Sequence, residues 1–196
     1  MTPSKVIERL ALFAPPVIAA YATERARCVI ATAVGVDVLH AFGVDAEPYP
    51  VRVEVRNGAF EAARRRGADP VTAIARGGHL LVTDDRPLDP ASRFWAGHLM
   101  IHLPAQAGLL DLDFQQFARP QHAIAASDAE WFAWPTGTHG REFAGPSGAR
   151  LVIEATGDRG FEVGGDWADP RRRAPLVDAV TRAIRKNRVA LIRVAG

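Results

Sequence analysis

Cysteine occurs only once in the 196-residue sequence, at position 28, and this scarcity excludes an internal disulfide. The class of small secreted domains that depend on a disulfide framework is therefore excluded as well. The thiol of Cys28 remains as either a small buried apolar group or a reactive one. The choice between these roles depends on which residues the fold brings to it.

The sequence also has almost no net charge. Its 24 Lys and Arg residues against 22 Asp and Glu residues give a formal charge of +2. A surface that attracts phosphate backbones through a general positive field is not expected from this balance. We therefore expect no nucleic-acid partner.

Long apolar runs are missing too. No stretch approaches the ~18 uninterrupted apolar residues of a membrane span, so we expect no membrane partner. Lys5 and Arg9 precede an apolar segment over 10–22 that imitates a secretory signal peptide. Because Glu8 lies among the basic residues and the pair Pro15-Pro16 interrupts the apolar segment, we expect a cytoplasmic protein instead.

What is present fits a compact fold. Hydrophobic residues make up 48% of the sequence and charged residues 23%, which excludes disordered and fibrous classes. The length falls within the usual range of about 100–200 residues for one domain. With no internal repeat and no low-complexity tract, residues 1–196 are predicted to form a single domain.

Helical patterns come first along the chain. Ser4 is predicted to cap an amphipathic helix that Pro15-Pro16 break or kink, and a second apolar helical segment is predicted over 17–23. The stretch from Cys28 to Phe42 is apolar on nearly every face and precedes Gly43. This pattern predicts a buried central helix with Cys28 in its first turn.

Strand patterns follow. Valines at 51, 53 and 55 alternate with charged residues up to Asn57-Gly58, which predicts a half-buried strand. Further strands are predicted at 79–83, 97–103, 109–114, 149–155 and 189–194, with helices at 60–66 and 175–187. Segments 67–78 and 84–92 are predicted loops, and 134–148 is linker-like. The order predicts an α+β fold in which a central Cys-bearing helix packs on a mostly antiparallel sheet.

Cys28 has local reasons to be reactive. In the first turn of a helix, unpaired backbone N–H groups and the positive end of the helix dipole stabilise a thiolate over a thiol. Arg25 and Arg27 add positive potential. A nucleophilic thiolate also needs a proton carrier and a group that orients this carrier.

A predicted hairpin supplies both groups. His98 and His102 share one face of its first strand, and Asp111 and Asp113 share one face of its second strand, while leucine and isoleucine occupy the opposite faces. A register with an index sum of 209 pairs His98 with Asp111, and a sum of 211 pairs it with Asp113. The register alone leaves the two aspartates as alternatives.

These segments, CVIATAVGVDVLHAFGVDAEPYPVRVEV over 28–55 and GHLMIHLPAQAGLLDLDFQQFARP over 97–120, resemble the papain-like superfamily of Cys-His-Asp enzymes, especially its transglutaminase-like and arylamine N-acetyltransferase-like branches. The resemblance implies a papain-like fold in which Cys28 is the nucleophile, His98 the general base and then acid, and Asp111 the orienting carboxylate. It favours Asp111 over Asp113 because Leu109-Leu110-Asp111 looks like the family's strand that ends at its aspartate.

The resemblance further implies acyl transfer, or amide or thioester hydrolysis, through a thioacyl intermediate on a small-molecule or peptide acyl substrate. No glutamine precedes Gln106, which argues against a papain-type peptidase with an upstream oxyanion glutamine. The backbone N–H of Cys28 and a neighbouring donor could serve instead. No motif for a cofactor is found, and the oligomeric state is left open.

Three other interpretations of the sequence remain. Metal binding by His98, His102 and the two aspartates is disfavoured because histidines four apart on a strand lie about 13 Å from each other. The aromatic residues Trp95, Trp131, Phe132 and Trp134 are candidates for a substrate cleft. A papain-like domain without catalysis, which binds a peptide or protein partner, is the alternative function. A Cys28 sulfur beyond reach of His98 would favour it.

Overall fold

The computed structural model describes residues 1–21, 27–83, 95, 97–163, 167 and 169–187. They form an α+β fold of helices and one antiparallel sheet. Five α-helices are described, α1 (Pro3–Ala19), α2 (Arg27–Ala41), α3 (Gly58–Arg65), α4 (Pro70–Ala75) and α5 (Pro170–Lys186). The strands are β1 (Glu47–Arg56), β2 (Leu80–Val82), β3 (His98–Leu103), β4 (Gly108–Asp111), β5 (Glu130–Ala133), β6 (Gly140–Ala144) and β7 (Arg150–Ala155).

The long helices α1, α2 and α5 pack against one another, and α2 lies on β1 and β3 of the sheet. α2 is buried on almost every side, as its apolar sequence predicts. Its side chains join those of α1 and α5 and the helix-facing side of β3 and β4 in one core. Packing in this core determines the distance between α2 and β3.

The seven described strands form one antiparallel sheet, six of them in the order β5-β4-β3-β1-β7-β6, and β2 pairs with the end of β1. The ten residues of β1 are long enough to pair with β3 at one end and with β2 at the other, while β7 covers its second side. The alternating valines of β1 point to the sheet face opposite the helices.

The sheet curls, so that its two outer strands approach each other. The rings of Phe132 on β5 and Phe143 on β6 have centroids 5.0 Å apart, and Arg141 of β6 donates to the carbonyl of Ala133 of β5 at 2.7 Å. The inside of the curl contains a second apolar core. His98 and Asp111 point to this inner side, at the end of β3 and β4.

The β3–β4 register has an index sum of 211, with Ile101 opposite Leu110 and Leu103 opposite Gly108. Continued to position 98, this register would pair His98 with Asp113. β4 ends at Asp111, however, so Asp113 has left the strand, and Asp111 is the diagonal neighbour of His98 on the same face. The shared face predicted for His98 and His102 is confirmed, whereas the predicted strand 109–114 ends at Asp111, so Asp113 lies beyond it. The aspartate that reaches His98 is the diagonal one.

The predicted interruption at Pro15-Pro16 is wrong. α1 runs without a break to Ala19 and is capped by Thr2, whose side chain accepts from the Lys5 N–H, rather than by Ser4. Each proline removes one backbone hydrogen bond, but Val17 and Ile18 beyond them are buried in the helical core. Burial of these side chains offsets the missing bonds.

Other expectations also change. The predicted loop 67–78 contains α4, which begins at Pro70 behind the capping residue Asp69. The linker-like segment 134–148 contains β6, and β5 has no predicted counterpart, since both strands are short and lack alternation. The last long helix begins at Pro170 rather than at 175. The predicted loop 84–92 and strand 189–194 lie outside the described residues.

Across the described ranges, no helix is long and apolar enough to cross a bilayer.

Candidate active site

The first turn of α2 positions Cys28. Arg27 is the first described residue of the helix, so Cys28 lies in its first described turn. The sulfur-bearing side chain is 6% exposed and packs in an apolar cluster with Val29, Trp95, Leu99 and Phe161. One turn further, Thr32 Oγ1 donates to the carbonyl of Leu99 at 3.0 Å, which ties α2 to β3.

His98 opens β3 at the point where α2 begins. Its imidazole is fully buried, and Nε2 lies 2.7 Å from Oδ2 of Asp111, which is 1% exposed. The other oxygen of Asp111 accepts from the backbone N–H of Asp113 at 2.8 Å. Both oxygens of Asp111 are therefore engaged, and Nδ1 is the ring nitrogen of His98 left for other partners.

Three influences act on the imidazole. Burial would lower the pKa of His98, but the charge and hydrogen bond of Asp111 raise it, and so do the hydrogen bonding and charge of the Cys28 side chain. Together they raise the pKa to about 10. The imidazole of His98 thus keeps its proton at neutral pH beside the side chains of Asp111 and Cys28. A histidine perturbed this strongly is typical of a functional site.

A second carboxylate, that of Asp113, lies beside the first. Burial raises the pKa of Asp113 to about 6, against the charge of Arg27, whose Nη2 is 3.0 Å from Oδ1. Within the described residues this contact is an ion pair rather than an aligned hydrogen bond, since Oδ1 has no hydrogen-bond partner there. The pair joins the first residue of α2 to the segment after β4, next to Cys28.

A single 3₁₀ turn, Phe114–Phe117, then folds back over the imidazole. The ring of Phe117 packs edge-to-face on His98 with centroids 4.9 Å apart. The side chain of Gln116 is exposed, and its Nε2 donates to the carbonyl of Asp113 at 3.0 Å and lies 3.2 Å from Nδ1 of His98. Gln116 thus occupies the edge of the imidazole that Asp111 leaves open.

The structure joins His98 and Asp111 by a hydrogen bond, and the side chain of Cys28 acts on the pKa of the same imidazole. Asp113 joins them as a neighbour that does not contact the imidazole through a hydrogen bond. His102 lies elsewhere, because its Nδ1 pairs with Glu47 at 2.7 Å and its ring lies against Tyr49. In the described part of the chain, no group of three His, Cys, Asp or Glu side chains is spaced to hold a metal ion.

The structure places the four aromatic residues predicted for a substrate cleft in different parts of the fold. Trp95 packs beside Cys28, and its indole donates to Asp158 at 2.6 Å. Phe132 and Trp134 belong to the core inside the curled sheet. Trp131 is 40% exposed on β5 and contributes to the lining of a cavity of about 540 Å³ between β5 and β6. Only Trp95 of these four lies at the candidate site.

Gln116 is the residue that sequence reasoning did not find. The sequence has two adjacent glutamines, Gln115 and Gln116, and their order along the chain does not say which one returns to the histidine. The 3₁₀ turn Phe114–Phe117, directly after Asp113, brings Gln116 rather than Gln115 to His98. Polar residues two to five positions after a strand-ending aspartate are the signal that could have indicated it.

Comparison with models of known protein families, with curated proteins and with solved structures finds no match for this chain.

Proposed function

We propose that this protein is a cysteine-dependent acyltransferase or hydrolase in which Cys28 is the nucleophile, His98 the acid-base group and Asp111 the orienting carboxylate. One observation supports this most strongly: a completely buried imidazole engaged by Asp111 at Nε2 and influenced by the only thiol of the chain. Nucleophile, base and orienting group are the three parts that covalent catalysis by a thiol needs.

Stability alone gives no reason for such a cluster. Burying an ion pair costs several kcal/mol of desolvation per ion, and apolar side chains of similar volume often serve the fold as well or better. Perturbed titratable groups of this kind are concentrated at functional sites. A thiol whose hydrogen bonding and charge act on this imidazole makes a catalytic purpose the most economical explanation.

The proposed reaction begins with the thiol proton on Nδ1 of His98 and the electron pair on Sγ of Cys28. Sγ attacks the carbonyl carbon of an amide or thioester, a C–S bond forms, and the carbonyl electrons move onto oxygen. The C–N or C–S bond to the leaving group then breaks, and the leaving group takes the proton from His98. A thioacyl intermediate remains on Cys28.

Release reverses these steps. The oxygen of water or the nitrogen of an amine forms a bond to the thioacyl carbon as His98 accepts its proton. The C–S bond then breaks, and its electron pair returns to Sγ of Cys28. The product is a carboxylic acid with water and an amide with an amine. A small-molecule or peptide acyl group is the proposed substrate.

The arrangement supports a place in the papain-like superfamily, in its transglutaminase-like or arylamine N-acetyltransferase-like branches. The cysteine begins a buried helix, and the histidine and aspartate follow on successive antiparallel strands. The alternative of a domain that only binds a partner predicts a sulfur out of reach of His98. The influence of Cys28 on His98 counts against it.

Acylation tests the proposal directly. We expect p-nitrophenyl acetate to transfer one acetyl group to Cys28, seen as a gain of one acetyl by mass spectrometry of the intact protein and of the peptide with Cys28. Cys28→Ser should lose the rapid thioester formation. Absence of acetyl on Cys28 in the wild-type protein, with nitrophenol release at the rate of free imidazole, would overturn the proposal.

Alkylation tests the role of His98 separately. Iodoacetamide at pH 6 should label Cys28 at least about tenfold faster than it labels glutathione, because a paired thiolate persists at a pH where a free thiol is protonated. His98→Gln should abolish the advantage. His102→Gln, on the same strand and face but paired with Glu47, is the matched control and should leave it intact. Equal rates for all four thiols would contradict the proposed pair.

A further inference from the structure

A groove runs along α1, between this helix and the segment 128–131 that leads into β5. Its wider part is a cleft of about 660 Å³ that has Ala11 on the helix side and Ala129 on the opposite wall. Its narrower part, of about 210 Å³, has Pro15 one helical turn further along and Asp128 directly before Ala129. Because each wall continues from one part into the other, the two clefts form one groove, the α1 groove.

The narrow end of the α1 groove lies beside the candidate nucleophile. Arg27 lines this end and directly precedes Cys28, so their Cα atoms are about 3.8 Å apart. The helical wall from Ile7 to Ala19 is about 18 Å long, which matches about five residues of extended chain. The small volume of the narrow end suits one extended chain better than a helix, which is about 10 Å wide.

The wide end of the groove combines an apolar ring with an acceptor that lacks a donor. The indole of Trp131 is 40% exposed there. Gln106 lines the same end, and its buried Oε1 has no hydrogen-bond partner among the described residues. A buried acceptor of this kind costs free energy until a donor reaches it. The wide end therefore suits a ligand that brings an apolar side chain and an N–H group.

The charges along the groove are mostly negative. Of its charged side chains, Glu8, Asp128 and Glu130 are acidic and Arg27 is basic. Lys5 balances Glu8, and Arg27 is balanced by its ion pair with the carboxylate after β4. Within the described ranges, no basic side chain pairs with Asp128 or Glu130. These two carboxylates give the groove a net negative charge on a chain whose formal charge is +2.

From this lining we infer that the α1 groove binds an extended peptide with basic side chains and a large apolar one, and that such a peptide is the acyl substrate of Cys28. The substrate role rests on the proposed function. The apolar side chain packs on Trp131, a residue type that often dominates binding. Basic side chains pair with Asp128 and Glu130, and a peptide N–H donates to Gln106.

Fluorescence anisotropy with a labelled peptide tests the groove. The probe is the fluorescein-labelled amide of Lys-Leu-Lys-Leu-Lys-Leu, and its counterpart has glutamate in place of lysine. We expect the basic peptide to bind the full chain at least about tenfold more tightly than the acidic one, because the acidic one meets unpaired carboxylates. Raising the salt concentration from about 0.05 M to 0.5 M should weaken binding of the basic peptide.

Ala11→Arg places a long cationic side chain inside the groove, at a helical position that arginine accommodates well. It should weaken binding of the basic peptide at least about tenfold. Leu12→Arg is the matched control, because Leu12 is the next residue, is 64% exposed and does not line the groove. It should leave the affinity within about twofold of wild type. Equal urea midpoints verify that both variants are folded.

A milder pair of variants tests the charge alone. Asp128→Asn keeps the shape of an exposed side chain and should weaken binding of the basic peptide about threefold. Asp45→Asn removes the same charge from an exposed position outside the groove and should leave the affinity unchanged.

Protection of the thiol tests where the groove leads. With the basic peptide at about ten times its Kd, alkylation of Cys28 by iodoacetamide should fall to about a tenth of its rate, since only unbound protein reacts. The same peptide concentration should not protect Cys28 in Ala11→Arg.

Equal affinity for the two peptides, or wild-type affinity in Ala11→Arg, overturns the peptide groove. Binding that leaves the alkylation of Cys28 unchanged overturns the substrate role. A wild-type protein that p-nitrophenyl acetate does not acetylate at Cys28 overturns the proposed function and the substrate role with it. Peptide binding is decided separately, because anisotropy requires no reaction of the thiol.

Discussion

Nε2 of His98 and Oδ2 of Asp111 lie 2.7 Å apart with neither side chain more than 1% exposed. At this depth water cannot substitute for either partner, so the carboxylate determines which imidazole nitrogen holds a proton. Nε2 donates to Asp111, and in the proposed mechanism Nδ1 exchanges its proton with Cys28. In that mechanism the orientation of one carboxylate decides whether the thiol has a base.

Asp111→Asn should remove the orienting function of this side chain while keeping its volume. One end of the asparagine amide must donate, yet one oxygen of Asp111 accepts from the Asp113 N–H and the other from His98. The asparagine NH₂ therefore faces either the Asp113 N–H, which is also a donor, or Nε2 of His98, which must then give up its proton. The second arrangement reverses the histidine tautomer. We expect acylation of Cys28 by p-nitrophenyl acetate to fall on the order of 10⁴-fold, as it does when the histidine tautomer is reversed in other triads.

The exposed carboxylate of Asp45 provides the control. Asp45→Asn removes the same charge from the surface and should change the acylation rate by less than about twofold. A full acylation rate in Asp111→Asn, measured on protein with an unaltered urea midpoint, would show that Asp111 has no orienting role.

Titration of His98 should occur far from that of an ordinary histidine. Asp111 and Cys28 outweigh burial and raise its pKa to about 10 from 6.5. Because the folded state holds the proton more tightly than the unfolded state, this contribution to stability is full below about pH 6.5 and is lost as the pH rises through 10. NMR of ¹⁵N-labelled imidazole should show His98 protonated at pH 8.

Cys28→Ala offers an internal check, since it removes one of the two groups that raise the pKa of His98. In this variant the titration of His98 should move to lower pH. The urea midpoint of the variant should decline at a lower alkaline pH than that of wild type. A His98 signal that titrates near pH 6.5 in both proteins would contradict the buried charged pair.

Asp113→Asn should stabilise the protein at neutral pH. Burial raises the pKa of Asp113 to about 6 although Arg27 opposes the rise. A raised carboxyl pKa means that its contribution to stability is present below about pH 4 and is lost as the pH rises through 6. Asparagine is neutral and retains the backbone N–H that donates to Asp111, so the urea midpoint should rise at pH 7.5 and stay unchanged at pH 4.

Asp37→Asn is a suitable comparison because Asp37 also faces an arginine, Arg173 at 2.6 Å, but is 35% exposed. There the carboxylate is hydrated, and the neutral variant should leave the pH 7.5 midpoint equal or lower. A midpoint of Asp113→Asn below wild type at pH 7.5 would mean that the ion pair with Arg27 outweighs the desolvation of Asp113.

Gly35→Ala should press α2 away from β3. A Cβ at position 35 would lie 2.3 Å from Cδ1 of Ile101 and 2.8 Å from Cδ1 of Leu112. Alanine favours a helix interior by about 1 kcal/mol, but overpacking commonly costs about 1–3 kcal/mol. We expect a net loss of about 1 kcal/mol in urea unfolding and slower alkylation of Cys28, because the shift separates its sulfur from His98.

Gly140→Ala, in an edge strand with its nearest neighbours at 3.5 Å or more, should alter neither quantity, with a stability change within about 0.5 kcal/mol. If Cys28 of Gly35→Ala is alkylated at the wild-type rate despite the lost stability, the distance between α2 and β3 does not control the distance between the thiol and the imidazole.

The pattern of residues predicts part of this arrangement. Apolar spacing places Cys28 at the start of a buried helix, and strand alternation puts His98 and Asp111 on one face, because burial of one side of each element determines both. The partner of His98 is harder to predict from the sequence. The β3–β4 register, with paired residue numbers that add to 211, points to Asp113, and Asp111 is the partner only because β4 ends two residues earlier.

The remainder depends on tertiary packing. Pro15 and Pro16 stay within α1 because the buried side chains of Val17 and Ile18 compensate for the bonds that the prolines remove. Gln116 reaches His98 because a 3₁₀ turn follows the aspartate, and the short strand β6 exists because it pairs with β7. Each is decided by contacts between segments distant in sequence, which local propensity does not encode.

The curl that brings β5 towards β6 also affects how copies of this chain meet each other. An open sheet ends in two rows of backbone groups that can recruit strands from other molecules. Here the contact between Phe132 and Phe143 and the bond from Arg141 to Ala133 turn the two rows towards one another. The same bend that encloses the inner core therefore protects the protein against edge-to-edge aggregation at high concentration.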